Sequence, residues 1–278
     1  MRFGQRLFWG FAAGLVIFSV LFWSQLATLG SLRLTTLMTA WLLFLVIDAL
    51  LITNPRPDGP SPGKLGIRHK MGFLLLLAIG VINDPLFTLL APAVILCLVL
   101  SQTPLPGWYC ALLAVVIAVG VRGIAVDYLD SGWWLYPAAQ AEALGIRVPY
   151  VMADGWREAS RWLYLFDLVI NQFTIVGVAL GIVGLARMAR WYPPIGAVTM
   201  IAYASYVLFG LVYFGKDSAI LLLPLLMIQV LWMTYAVYTI GQWLQQSLKP
   251  THQVVRWLAP AVFTLLPLLL LFRITGLL

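Results

Sequence analysis

The chain has 278 residues, of which 62% are hydrophobic and only 10% are charged. Soluble globular domains carry roughly 25% charged residues, so this composition cannot cover a water-exposed surface and excludes a soluble enzyme. Backbone polar groups in lipid need partners inside the protein, which leaves helices and closed barrels, and the apolar runs here are continuous rather than alternating. The prediction is an all-α integral membrane protein, a polytopic bundle of about eight or nine transmembrane helices in a single transmembrane domain over residues 1–278.

The net charge is +7, from 17 Lys and Arg against 10 Asp and Glu. In a membrane protein this excess predicts basic loops on the cytoplasmic side, and it is accompanied by no motif that indicates a nucleic-acid partner. Residues 1–6 are basic and precede a long apolar run, which is predicted to be a retained first span rather than a cleaved signal peptide. We therefore expect a multi-pass protein of the cytoplasmic (inner) membrane with its N-terminus in the cytoplasm.

In chain order, the predicted spans are 7–28, 34–53, 71–83, 86–101, 108–124, 163–188, 194–214, 218–243 and 256–273. A helix perpendicular to the membrane needs about 20 apolar residues, and the third and fourth of these spans are shorter than that. They flank Asn83-Asp84-Pro85, and proline cannot continue the helical hydrogen-bond ladder. The pair is one broken helix, a re-entrant hairpin or two tilted spans, which sets the predicted count at eight or nine.

Two longer loops separate the predicted spans. Residues 54–70 form a Pro- and Gly-rich basic loop, which is expected on the cytoplasmic side. Residues 125–162 form a long polar segment with several Trp and Tyr, whose rings favour the headgroup zone. We predict that this segment is an outer-face interfacial loop with a short helix over 154–162. It contains Asp127 and Asp130, which are the candidates for a catalytic carboxylate.

Two aspartates lie within or between the predicted spans, where an ionisable group is costly and suggests function by default. Asp48 either has such a role or lies near the cytoplasmic end of its span, where it snorkels to the interface or pairs with Arg56 or Lys64. Asp84 lies in the break before Pro85. It either belongs to an ion site, as in broken transporter helices, or caps the helix that begins there.

Further along the chain, polar and small residues recur within one predicted span. Asp167 and Asn171 share a helix face, which predicts an interhelical hydrogen-bond site or, as the alternative, a substrate site. Gly177, Gly181 and Gly184 follow on the same helix. Small residues at this spacing let a second helix approach closely, so we expect helix packing there.

Three arginines in and beside the long outer loop are candidates for binding a lipid phosphate, because guanidinium groups suit phosphate geometry. They are Arg147, Arg157 and Arg161. The alternative is that they anchor the segment at the interface beside acidic neighbours. The sequence contains no Gly-rich phosphate loop, no HExxH and no serine nucleophile elbow.

The metal-binding residue types are sparse. Cys97 and Cys110 lie in apolar runs without metal-ligand spacing, and they read as small buried hydrophobes. His69 and His252, the two histidines, fall in predicted polar loops, whereas a membrane haem needs histidine pairs within the spans. We therefore expect no metal and no cofactor.

Several short segments, taken in order along the chain, are similar to a known family. They are Phe22-Trp23-Ser24-Gln25; Gly80-Val81-Ile82-Asn83-Asp84 followed by Leu89-Leu90-Ala91-Pro92; Asn171-Gln172-Phe173 with Gly177, Gly181 and Gly184-Leu185; and Tyr213-Phe214-Gly215-Lys216-Asp217 followed by Leu223-Pro224. Together they resemble the membrane core of the bacterial protein O-mannosyltransferase-like branch of the GT-C glycosyltransferases. The resemblance implies a GT-C-like helical fold, related to enzymes that move a sugar from a lipid-phosphate donor to an acceptor at the outer membrane face.

The sequence departs from that family where chemistry is expected. The family's catalytic aspartate lies in its first outer loop, upstream of the matched segments, so the resemblance implies that this N-terminal catalytic region is lacking. Gly30-Ser31-Leu32 stands where the family tends to carry a Glu–x–Tyr element, and Asn83-Asp84 stands where it tends to show histidine. A glycosyltransferase needs a carboxylate base for the acceptor and cations for the leaving phosphate.

These departures favour a catalytically incomplete GT-C-like protein that is an accessory subunit of a larger membrane complex, in contact with membrane lipids and other membrane subunits. One alternative is an active transferase that uses a polyprenyl-phosphate sugar. A partner chain would then supply the carboxylate, and Arg157 or Arg161 would line a groove beneath the long outer loop. The other alternative is a small-solute transporter in which Asp48, Asp84 or Asp167 faces a continuous water path.

Overall fold

The computed structural model describes residues 35–55, 61–125, 154–213 and 221–247, and no β-strand occurs within these ranges. The all-helical prediction is confirmed for this part of the chain. Its helices are α1 Thr35–Thr53; α2 Ile67–Asn83; a 3-10 helix Pro85–Leu90 that continues as α3 Ala91–Leu100; α4 Gly107–Ile124; a 3-10 helix Gly155–Arg157; α5 Ala159–Trp191; α6 Pro193–Val212; and α7 Leu223–Ser247.

Five of these helices are long and apolar enough to cross a membrane, namely α1, α4, α5, α6 and α7. The predicted count of eight or nine spans is not confirmed. The predicted spans 7–28 and 256–273 lie outside the described residues. The predicted span 71–83 corresponds to α2, whose 17 residues make a helix about 25 Å long, short of the roughly 30 Å hydrocarbon core.

The chain reverses direction at Asp84. The backbone N–H of Leu65, just before α2, donates to Thr103 Oγ1 at 3.3 Å, and Lys70 Nζ donates to the Pro104 carbonyl at 2.9 Å. The start of α2 and the end of α3 therefore lie at the same end of the bundle. This rules out a single broken helix, because α2 and the Pro85–Leu100 segment run antiparallel.

We call this end of the bundle the Lys70 end. The last turn of α1 also lies there, because Asn54 Nδ2 donates to the Leu100 carbonyl at 3.3 Å. The first turn of α4 joins it, because the Tyr109 hydroxyl donates to the Lys70 carbonyl at 2.9 Å. Four helices thus begin or end at one level, and their connections are tied to one another by hydrogen bonds.

We call the opposite end the Asp84 end. There the Tyr206 hydroxyl, near the end of α6, donates to the Leu86 carbonyl at 3.2 Å. Arg161, near the start of α5, donates to the Gly210 carbonyl at 2.6 Å. Leu222, just before α7, also packs against Gly210. Successive described helical segments therefore alternate in direction, as helices that cross a membrane in turn must do.

The helix boundaries differ from the predicted ones beside both long loops. The predicted loop 54–70 ends at Gly66, because α2 begins at Ile67. His69 therefore lies in a helix and not in a loop. The charges of residues 68–70 lower the hydropathy of that turn without preventing helix formation. The predicted helix 154–162 is instead the 3-10 helix Gly155–Arg157 followed by α5.

The helix α5 is 33 residues long and contains one non-helical residue, Thr174, with φ 65° and ψ 171°. Positive φ is a rare conformation for a β-branched residue. The break divides α5 into two helical halves. The helix α5 packs beside α6 and α7. Of the five long helices, α7 is the most deeply buried and α4 is the most exposed.

Candidate functional site

Asp84 is a buried carboxylate, 4% exposed, at the point where the chain reverses. Its Oδ1 accepts a hydrogen bond from the Leu86 N–H at 3.0 Å, and its own N–H donates to the Gly80 carbonyl at 2.8 Å. Pro85 occupies the first position of the 3-10 helix and has no N–H to satisfy. The side chain is therefore an N-cap, as one of the two sequence interpretations of Asp84 predicts.

Neighbouring polar groups converge on Asp84 from α1 and α2. The Thr35 hydroxyl donates to Asp84 Oδ2 at 3.3 Å, and Asn83 Nδ2 donates to Thr35 Oγ1 at 3.3 Å. The Tyr206 hydroxyl satisfies the carbonyl of Leu86, the residue whose N–H is capped. The arrangement joins the first turn of α1, the α2 terminus and α6 at one buried point.

We expect Asp84→Ala to lower the free energy of unfolding by about 1 kcal/mol, the usual cost of removing an N-cap acceptor. Asp84→Asn keeps an acceptor oxygen and should cost less. The measurement is the unfolding midpoint in detergent under SDS or heat. Asp154→Ala is the matched control, because Asp154 also precedes a 3-10 helix but its side chain makes no capping bond. Equal losses for both alanine variants would contradict the capping role.

The contact between α4 and the 3-10 helix at Asp84 depends on two glycines. A Cβ on Gly120 would overlap the Thr88 hydroxyl, and a Cβ on Gly123 would lie 2.8 Å from Pro85 Cβ. These glycines give α4 its close approach to the reversal point. Sequence reasoning did not single them out, and their three-residue spacing in an apolar helix is the signal that could have found them.

The guanidinium of Arg161 binds the C-terminal end of α6. Nη2 donates to the Gly210 carbonyl at 2.6 Å and also to the Tyr213 carbonyl, and Nε donates to the Leu211 carbonyl at 3.4 Å. The last carbonyls of a helix have no partners within the helix and carry the negative end of its dipole. The same guanidinium lies 5.2 Å from the ring centre of Tyr164. Arg161 therefore joins the start of α5 to the end of α6.

Arg157, the other described candidate for phosphate binding, is exposed at the same end of the bundle. Its guanidinium lies 5.0 Å from the ring centre of Trp156, and the Trp162 indole N–H donates to the Trp156 carbonyl at 2.8 Å. Such an arginine and tryptophan cluster is typical of a membrane interface. Arg147, Asp127 and Asp130 lie outside the described residues.

Asp48 pairs with a residue that the sequence analysis placed in a loop. Its Oδ2 lies 3.0 Å from His69 Nε2 in the first turn of α2, and both side chains are partly exposed. The structure gives His69 rather than Lys64 as the partner of Asp48, and Arg56, the other predicted partner, lies outside the described residues. The pair joins α1 to α2 near the Lys70 end. The pairing was not predicted because His69 belongs to a helical turn that hydropathy does not detect.

Asp167 and Asn171 are hydrogen-bonded to each other on α5. Asn171 Nδ2 donates to Asp167 Oδ2 at 2.6 Å, and both side chains are exposed. The predicted shared helix face is present, but the bond joins neighbours on one helix and not two helices. The structure also separates the three candidate carboxylates. Asp48 lies near the Lys70 end, Asp84 lies at the opposite end, and Asp167 lies on the outward surface of α5.

The glycine stripe of α5 packs directly against α7. A Cβ on Gly184 would overlap the backbone carbonyl of Trp232, and a Cβ on Gly181 would overlap the side-chain amide of Gln229. That amide donates to the Gly177 carbonyl at 3.3 Å. The three glycines therefore let the two helices approach closely, and the Gln229 side chain of α7 donates a hydrogen bond to the α5 backbone in the buried core.

Two residues of this interface were missed by sequence reasoning. Gln229 is a buried amide in an otherwise apolar run of α7. Trp232 donates its indole N–H to Thr199 Oγ1 at 3.1 Å and stacks at a tilt on Tyr203, which joins α7 to α6. An intramembrane glutamine is itself a signal of an interhelical hydrogen bond. Within the described ranges, no group of three or more His, Cys, Asp or Glu side chains is arranged to hold a metal ion.

These elements define the class of protein: an all-helical membrane protein whose described part has five helices long and apolar enough to cross a membrane. Helices of this kind are compatible with lipid contact along their exposed apolar faces. No family model, no curated protein and no solved structure matches the chain.

Proposed function

We propose that this chain is a structural, accessory subunit of a larger membrane complex, a catalytically incomplete GT-C-like protein. The observation that carries the proposal is the position of Arg161. A phosphate-binding arginine would direct its guanidinium toward a cavity, whereas this guanidinium donates to three backbone carbonyls at the end of α6. Asp84 likewise binds a backbone N–H as a cap.

The distribution of basic residues supports an orientation for this subunit. Among the described residues, more cations lie at the Lys70 end than at the Asp84 end. Those at the Lys70 end are Lys64, Arg68, Lys70, Arg187 and Arg190, and those at the Asp84 end are Arg122, Arg157 and Arg161. Because positive residues accumulate on the cytoplasmic side, we propose that the Lys70 end faces the cytoplasm of a bacterial inner membrane. The N-terminus is then cytoplasmic if one further span precedes α1.

A lipid-linked-sugar transferase is the second candidate function, and one observation favours it. Arg157 is exposed at the Asp84 end beside Trp156 and Trp162, where a lipid phosphate from the outer leaflet would be accessible. In that case a partner chain, or Asp127 or Asp130, provides the carboxylate, and the donor is a polyprenyl-phosphate sugar.

The experiment that separates the two functions is purification of the tagged chain from native membranes in mild detergent, followed by mass spectrometry of proteins and lipids. Stoichiometric partner subunits without polyprenyl-phosphate lipid are the result expected for an accessory subunit. A monomer that carries a polyprenyl-phosphate sugar would overturn this proposal. In that case the Arg157→Ala variant should lose the bound lipid while keeping the unfolding midpoint of the original protein.

A further inference from the structure

The outward face of α5 carries an exposed carboxylate, Asp167, within a long apolar helix. Asp167 lies eight residues beyond Ala159, or about 12 Å along the helix from its start. The Asp167 side chain is exposed and accepts a hydrogen bond from Asn171. The Asn171 amide is neutral, so this bond supplies no opposite charge to the carboxylate. Ionisable side chains within membrane helices almost always face a protein interior or a water-filled cavity rather than lipid.

A second feature lies on the exposed surface of α5. Thr174, three residues after Asn171, is exposed and has the φ of 65° that interrupts the helix. Asp167, Asn171 and Thr174 are all exposed, so the polar pair and the break both lie on the surface of α5 that the other described helices leave uncovered. A backbone break in lipid is tolerated where protein or water covers it. Large apolar side chains near them in sequence are also exposed, with Leu163 67% exposed and Ile175 72% exposed.

The outward face of α4 differs from that of α5. Its exposed residues Leu112, Val115 and Val119 form an apolar face, and Val115 is 58% exposed. No Asp, Glu, Asn or Gln occurs between Gly107 and Arg122. The two outward faces are therefore chemically different, although both belong to long helices at the surface of the described bundle.

We propose that the outward face of α5, centred on Asp167 and Asn171, binds a transmembrane helix of a partner subunit that carries a lysine or arginine. The inference rests on the proposed accessory function and names the surface and partner that this function requires. The cation pairs with the Asp167 carboxylate, while apolar side chains of the partner pack on Leu163 and Ile175. A carboxylate in a low-dielectric layer favours a cationic partner because a neutral one leaves the charge uncompensated.

The partner is a different chain and not a second copy of this one. A two-fold symmetric contact places the same patch of each copy against the other, which would bring the two Asp167 carboxylates together. The arginines of α5 lie near the helix ends, at positions 161, 187 and 190, away from this patch. The glycine stripe of α5 faces α7, so the partner must bind through the larger side chains of the outward face.

The test is photo-crosslinking in native membranes with a benzoylphenylalanine introduced at Ile175 or, as the matched control on α4, at Val115. We expect a crosslinked partner from position 175 and none from position 115, and the crosslinked peptide should hold Lys or Arg within an apolar segment. Asp167→Asn should lower the co-purified partner at least tenfold, and Asp167→Glu should retain most of it. Size-exclusion profiles of both variants check that they remain folded.

The outcomes separate this inference from the proposed function. If no partner co-purifies with the original chain, the accessory function itself fails. If a partner co-purifies but crosslinks from position 115, or is retained in full by Asp167→Asn, the function stands and the α5 surface is the wrong one. Crosslinking within the same chain, or to a peptide without a cation, would also overturn the inference.

Discussion

Replacing Gly184 with leucine is expected to destabilise the protein by about 3 kcal/mol or more, at the upper end of the cost of overpacking a core. Any side chain at this position would overlap the carbonyl of Trp232, which is part of the α7 backbone. Rotation of a side chain cannot relieve that overlap, so α5 and α7 must separate. The separation would also lengthen the hydrogen bond from Gln229 to the Gly177 carbonyl.

The measurement is the fraction of folded protein recovered in mild detergent, together with the midpoint of SDS-induced or thermal unfolding. Ala186→Leu is the control, because Ala186 is two residues away on the exposed side of the same helix. It adds a comparable apolar side chain without meeting α7. If both leucine variants unfold at the same point as the original protein, the close contact between α5 and α7 is wrong.

A graded series makes the test sharper. Gly181→Ala meets the amide end of Gln229, which is a flexible side chain, so it should cost less than Gly184→Ala, which meets backbone. The expected order of unfolding midpoints is therefore the original protein, then Gly181→Ala, then Gly184→Ala, then Gly184→Leu. A reversed order of the two alanine variants would contradict the packing of α5 on α7.

The second large effect is expected at Arg161. Arg161→Ala removes the hydrogen-bond donors from the carbonyls at the end of α6. It should lower the free energy of unfolding by about 2–3 kcal/mol, because hydrogen bonds from a charged group are lost and the carbonyl acceptors are left unsatisfied. Arg161→Lys keeps the charge but not the planar array of donors, so it should recover part of the loss. The unfolding midpoint in detergent reports both effects.

Arg157→Ala is the matched control for this prediction. It removes the same charge from the same end of the bundle, but the Arg157 guanidinium is exposed and stacks on Trp156. We expect its unfolding midpoint to change little. If Arg161→Ala leaves the midpoint unchanged while it abolishes binding of a polyprenyl phosphate, Arg161 is a ligand-binding residue and the accessory-subunit proposal loses its main support.

Several features of this protein were predictable from the sequence because their causes are local. The helical class follows from a composition too poor in charge for a water-exposed surface, together with apolar runs long enough to satisfy their backbone within helices. The capping role of Asp84 was one of two predicted interpretations, because an aspartate before Pro85 needs only its own next residues to form a cap. The close packing at Gly177, Gly181 and Gly184 was expected for the same reason, since their spacing places them on one helix face.

The tertiary structure alone decided which elements meet. Arg161 contacts carbonyls about fifty residues further along the chain, and Asp48 pairs with His69 across an intervening loop. Nothing local in the sequence indicates those partners, because they depend on the order and direction in which the helices pack. The same packing turns the glycine stripe of α5 inward against α7 and leaves Asp167 outward. The sequence places these residues on a helix, and the neighbouring helices decide which of its faces is buried.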